Sequence, residues 1–145
     1  MIIDFHAHVL PRCDHGCDHS AMAKNQLLMM RAAGTDAVVA TPHFYPNNDR
    51  VESFLDGRDG AIEAMHRKLP LEDLPIVYPA AEVLVCPGLH EMEGLESLTV
   101  SGTNVILLEI DVDFHITIRR GFRGYIGHII HAIDGLLQRL DISFV

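Results

Sequence analysis

The chain has 145 residues, 48 % of them hydrophobic and 21 % charged, which is enough apolar material for one globular core. Its formal net charge of −9 argues against nucleic acid as the main partner, since phosphate backbones need a basic surface. No apolar run approaches the ~20 residues of a membrane span, the start Met1-Ile2-Ile3-Asp4 lacks the features of a signal peptide, and three cysteines are too few for a disulfide framework, so a cytoplasmic protein is expected.

Ile2 to Phe5 reads as a first strand, which runs into His6-Ala7-His8. A polar loop from Pro11 to His19 follows. Ser20 is the expected N-cap of a helix carrying Leu27, Leu28 and Met30 and closed by Gly34. Asp36 to Thr41 (DAVVAT) has the unbroken apolar character of a buried strand, ended by Pro42-His43. A second helix is expected over 51–69, weakened near its middle by Gly57 and Gly60. Ile76-Val77-Tyr78 is a third strand leading into Ala80-Ala81-Glu82-Val83, and Asn104 to Ile110 (NVILLEI) a fourth. Arg119 to Gly124 suggests a short helix, Tyr125 to His131 a fifth strand, Asp134 to Leu140 a helix, and Ile142 to Val145 the start of another strand. Strands alternating with helices imply βαβ units and a mostly parallel sheet of about five or six strands within a single domain, 1–145.

Ten histidines are a heavy load of the commonest metal ligand. His6 and His8, His43, Glu82 and Glu109 fall at or near the ends of four strands, where parallel α/β folds gather function, and His131 would add a fifth. Residues i and i+2 of an extended strand face the same way, so His6 and His8 can meet one cation; the bland alternative is two loop histidines without a role. Asp14 in Asp14-His15-Gly16 is either a further ligand, turned back over the strand ends by Gly16, or part of a solvated turn. Glu82 and Glu109 interrupt apolar runs, where an unpaired carboxylate is costly; each needs a metal or an Arg or Lys partner. Mixed imidazole and carboxylate donors suit Mn²⁺, Zn²⁺ or Fe²⁺, and their number exceeds what one catalytic ion needs. Such a cluster grips phosphate oxygens and activates water for in-line displacement.

The run Ile3-Asp4-Phe5-His6-Ala7-His8-Val9-Leu10-Pro11, followed by Asp14-His15-Gly16 and Ala40-Thr41-Pro42-His43, resembles the PHP (polymerase and histidinol phosphatase) superfamily. Within it, the likeness is to the manganese-dependent tyrosine phosphatases of bacterial capsule and exopolysaccharide operons. The resemblance is strong over 2–43, fair through Glu109 and poor beyond. It implies a distorted (β/α)7 barrel and a metal cluster, Mn²⁺ by preference, held by His6, His8, Asp14, His43, Glu82, Glu109 and, by a looser match, His131. It implies that His43, Glu109 and His131 serve catalysis, and that the substrate is phosphotyrosine on the tail of a partner tyrosine kinase.

The chain departs from that pattern in several places. His15 stands where the family has a second Asp, and Asp134 where it has an arginine that would contact phosphate. The family continues well past the equivalent of Val145 to a last D-x-H pair, and a full barrel takes about 200 residues or more. The expectation is therefore an incomplete, C-terminally truncated barrel, from a shortened or frameshifted gene, whose open sheet edge a partner or second copy of the chain would cover. Two other functions stay open: a small-molecule hydrolase of related geometry, and an inactive metal-binding remnant that contacts a partner protein. A minor alternative is a zinc site in Cys13-Asp14-His15-Gly16-Cys17-Asp18-His19. Otherwise the cysteines are reduced, unligated thiols.

Overall fold

A computed structural model describes residues 1–110, 131, 132 and 135. Strand β1 (Ile3–Ala7) leads through the Pro11–His19 loop to helix α1 (Ser20–Ala32), then to β2 (Ala37–Ala40) and the two-residue β3 (His43–Phe44). Helix α2 (Val51–Lys68) precedes β4 (Ile76–Pro79) and β5 (Glu82–Leu84), and β6 (Leu107–Glu109) follows two short 3-10 turns. Every residue of β2 is buried, as its unbroken apolar run requires of the middle strand of a parallel sheet.

The strands form two parallel three-stranded sheets, β1-β2-β4 and β3-β5-β6, and not one sheet of five or six; no closed barrel exists among the described residues. The two sheets nevertheless share a register. Ala40 lies opposite Pro79 and His43 opposite Glu82, with the partner 39 residues on in both pairs. The chain therefore runs from β2 into β3 and from β4 into β5 at the same level, with Ala80 N donating to Ala40 O at 2.9 Å and Glu82 N to Pro42 O at 3.0 Å between the paired segments. Pro42 has no N–H to donate to a ladder, which makes it a natural place for the break.

α1 starts one residue before the sequence suggests: the cap is His19, whose Nδ1 accepts from Met22 N at 3.1 Å, and Ser20 is already helical. Gly34, at φ +94°, ends that segment as expected. Gly57 and Gly60 do not interrupt α2. Their cost of about 1 kcal/mol each relative to alanine is offset because this helix packs on both cores, through Val51, Phe54 and Leu55 on one and Ala61, Ile62 and Met65 on the other.

The expected strand ending at His131 is corrected at that residue: His131 and Ala132 are helical, as is Gly135. Ala132 is fully buried beside Phe44, Val83 and Leu89, while His131 and Gly135, four residues apart, both meet the ring of His90. That is the spacing of one helix face. A short apolar run such as YIGHIIH does not by itself distinguish strand from helix. Tyr125–Ile130 and the segments expected over 119–124, 136–140 and 142–145 lie outside the described residues.

Candidate metal centre

The strand ends converge as the sequence suggests. On β1 and just past its end, the Nε2 atoms of His6 and His8 point at Glu82, 3.7 Å from its Oε1 and 3.3 Å from its Oε2. From β3, His43 Nδ1 lies 3.2 Å from Glu82 Oε2 and 3.1 Å from Glu109 Oε2. Two donor groups result, His6/His8/Glu82 and His43/Glu82/Glu109, each with its ligand atoms within 4.8 Å of one another. Glu82 belongs to both.

The donor set fits a divalent cation. Ligands bound at about 2.1 Å around one ion lie roughly 3–3.5 Å apart when adjacent, close to the spacings above. Glu82 Oε2 is fully buried and makes no hydrogen bond, although two imidazole nitrogens are near it. An orphaned carboxylate oxygen is costly in a protein interior, and a cation would satisfy it. Among the described residues, neither Glu82 nor Glu109 has an Arg or Lys partner. No described Arg or Lys therefore supplies the ordinary salt-bridge explanation for these carboxylates.

A second layer fixes the imidazoles. His6 Nδ1 is 2.9 Å from the buried hydroxyl of Thr41, and His8 Nδ1 is 2.6 Å from Asp14 Oδ2. Such partners on the far nitrogen set ring orientation and tautomer in metal sites. Asp14 stands outside both donor groups: Oδ2 also accepts from His43 N at 3.3 Å, and Oδ1 accepts from Gly16 N at 2.8 Å. Burial pushes the Asp14 pKa up, but the bonds from His8, Gly16 and His43 outweigh it and hold the carboxyl below its ordinary value. His15 stacks at 5.8 Å on His8 and 5.1 Å on His43, so the residue that departs from the D-D-G pattern packs against two of the candidate ligands. His131 is in neither donor group; its ring meets His90 at 4.9 Å. Cys13 and Cys17 also stand outside the groups, and all three cysteines are free thiols, so the minor zinc-site alternative is not assembled.

Beside His43 opens a cleft of about 660 Å³, within the range of small-ligand sites. Asp14, His15 and His43 line part of it, and Tyr45, Arg12 and Arg50 are also on its wall. The Tyr45 ring stacks on His43 at 5.5 Å. Burial first, then the nearby carboxylates Glu109, Glu82, Asp14 and Asp49, push its phenol pKa up.

The sequence pattern of the family "Capsular polysaccharide synthesis, CpsB/CapC" matches residues 2–131. The chain belongs to the CpsB/CapC family. It is also similar to a solved structure from work on YwqE of Bacillus subtilis and CpsB of Streptococcus pneumoniae, described there as unique metal-dependent tyrosine phosphatases. The TM-score is 0.59 at 22 % identity, over 86 % of this chain and 53 % of that one. That likeness bears out an α/β fold with parallel sheets, and this CpsB/CapC chain spans about half the length of the protein it matches. A comparison with curated proteins gives no match. Among the described residues, no helix is long and apolar enough to cross a membrane.

Sequence reasoning missed Thr41, Tyr45, Arg12 and Arg50. Tyr45 was within reach, because it stands two residues beyond His43 and such residues share a face of extended chain. Thr41 lies inside the A-T-P-H motif but was given no role. The two arginines stand in loops, where no periodicity marks them.

Proposed function

We propose that this CpsB/CapC chain is a metal-dependent phosphomonoesterase that acts on phosphotyrosine, with the tail of a capsule-synthesis tyrosine kinase as its substrate. The carrying observation is Glu82, a half-buried carboxylate with one fully buried oxygen, shared by two imidazole/carboxylate groups where β4 passes into β5. His6, His8 and Glu82 would hold one cation; His43, Glu82 and Glu109 would hold a second. Mn²⁺ is the favoured ion, since the donors are imidazole and carboxylate without thiolate. When bound, a pair of such ions draws charge from phosphoryl oxygens and makes water a better nucleophile.

The chain's own residues supply positioning. Thr41 and Asp14 hold His6 and His8 with their Nε2 atoms inward. Asp14 also ties down the backbone of His43. Tyr45, stacked on His43, limits how that ring can turn and offers a flat surface to an aromatic substrate. His43 and Glu109 are the candidate catalytic pair at the cleft side of the site.

The test is elemental analysis of the purified full chain, with Mn²⁺-stimulated hydrolysis of a phosphotyrosine peptide on the same sample. Bound metal with turnover, both lost in His43→Ala and Glu109→Ala, is the expected result. Metal without turnover selects a binding-only role. Unchanged metal content in both variants would sink the assignment of the site.

A further inference from the structure

Three of the chain's 11 basic residues line the cleft beside His43, in a molecule whose net charge is −9. They are not equivalent. Arg58 is buried and committed: Nε meets Asp59 at 2.8 Å, and NH1 donates to Ala80 O at 3.3 Å and Ser97 O at 3.4 Å. Arg12 uses only Nε, at 3.4 Å from Asp18 O, which leaves the outward end of its guanidinium uncommitted. Arg50 is exposed, and its side chain makes no hydrogen bond or ion pair among the described residues. The nearest carboxylate in sequence, Asp49, is occupied by Tyr45 N at 2.7 Å.

Arg12 carries a second signal. It is the one non-glycine at positive φ among the described residues, at +63°, in a loop closed by Arg12 N donating to Cys17 O at 2.7 Å. An L residue is disfavoured in that region and glycine is not. A large side chain kept at such a position invites a functional reason, and here that side chain lines the cleft.

We propose that Arg12 and Arg50 form the anion anchor of this cleft, their guanidinium groups binding the phosphoryl oxygens of the substrate beside His43. This rests on the phosphomonoesterase reading of the same site. Guanidinium forks match phosphate oxygens in pairs, and charge-assisted bonds of this kind are about twice as strong as neutral ones. Tyr45 and Phe54, on the same wall, supply ring surface for the aryl part of the ester.

The experiment is calorimetric titration of inorganic phosphate into the Mn²⁺-loaded full chain, with metal content checked in every variant. Arg12→Met/Arg50→Met should raise the phosphate Kd by about 10-fold or more with metal content unchanged. Arg12→Gly should weaken phosphate binding while the melting temperature stays level or rises, because glycine relieves the backbone; a residue of merely structural value would show the reverse. An unchanged Kd in the double variant, or no saturable phosphate binding by the wild type, overturns the anchor. Aryl phosphate turnover separates the two readings. A wild type without turnover but with arginine-dependent phosphate binding defeats the phosphatase reading and leaves the anchor. Full turnover with unchanged KM in the double variant defeats the anchor and leaves the phosphatase.

Discussion

Gly16→Ala tests how the Asp14 loop holds the site. Gly16 lies directly over His8: a Cβ added there would overlap His8 Cβ, come within 2.8 Å of the His8 carbonyl oxygen and stand 3.2 Å from Asp14 Oδ1. Non-bonded carbons settle at about 3.5–4.0 Å, so the loop must retreat by roughly 1 Å or more. The retreat pulls on two bonds at once, Gly16 N to Asp14 Oδ1 at 2.8 Å and Asp14 Oδ2 to His8 Nδ1 at 2.6 Å. Losing the partner that orients a metal-binding histidine costs about 10–100-fold in metal affinity, or about 1.4–2.7 kcal/mol. The overpacking itself costs a further ~1–3 kcal/mol of fold stability. The assay is Mn²⁺ affinity by chelator competition, with a urea melt of the metal-free protein alongside. Asp14→Asn is the control, since it keeps the volume and removes the charge; it should reproduce the affinity loss with a smaller stability loss. Wild-type affinity in Gly16→Ala would refute the argument that Asp14 sets His8.

Arg58→Met should lower stability by about 2–3 kcal/mol, because it strips a charged donor from the buried carbonyls of Ala80 and Ser97; a urea midpoint within error of wild type would contradict this. Asp36 has its pKa held below the ordinary 3.8, first by the bond from Ile2 N and then by Arg31 at 3.0 Å, with burial opposing. The folded carboxyl thus binds protons less readily than the unfolded one, so its contribution is present above the unfolded pKa and is lost as pH falls through the folded value. The stability gap between wild type and Asp36→Asn should therefore shrink below about pH 4, and a gap independent of pH would count against it. Burial, then the charge of Asp14, raises the Cys13 thiol pKa to about 11, partly offset by Arg58. Native Cys13 should accordingly alkylate at pH 8 on the order of 100 times more slowly than in urea, and rapid native labelling would show the thiol to be less enclosed.

The donors were legible for simple reasons. A period of two puts His6 and His8 on one side of an extended chain, and carboxylates inside AAEV and LLEI need a strong partner. What the residues did not reveal was the change of sheet at Thr41-Pro42 and Ala80-Ala81. The sequence ends the DAVVAT strand at Pro42-His43, and nothing in it shows that pairing resumes at His43 and Glu82 in the same register but in a second sheet. The contact of Asp14 Oδ2 with His8 Nδ1 was also hidden, since a carboxylate six residues along the chain is as able to meet a metal as to orient an imidazole. At His131 the apolar run was ambiguous from the start, and the burial of Ala132 with the packing of Gly135 on His90 decides for helix.

The shared register explains why Glu82, alone among the described residues, belongs to both donor groups. His43 and Glu82 are direct partners on adjacent parallel strands, and Glu82 faces Leu107 on its other side. Glu109, two residues past Leu107, returns to the same face one step higher, and Val85 N holds its carbonyl at 2.9 Å. β5 is the middle strand of its sheet, so its first residue is flanked by candidate ligands from β3 and β6, while β1 and the residue after it bring His6 and His8 from the neighbouring sheet. The consequence is a stoichiometry. Glu82→Gln keeps the size and removes the shared charge, and should empty both positions. Glu109→Gln and His6→Ala each touch one group, and should each leave the other able to bind. Elemental analysis of the three variants, loaded with Mn²⁺ and dialysed together, reads this directly. Equal losses in all three would mean a single, fully cooperative centre, and retention of metal in Glu82→Gln would mean that the carboxylate at the centre of the sheet is not the bridge.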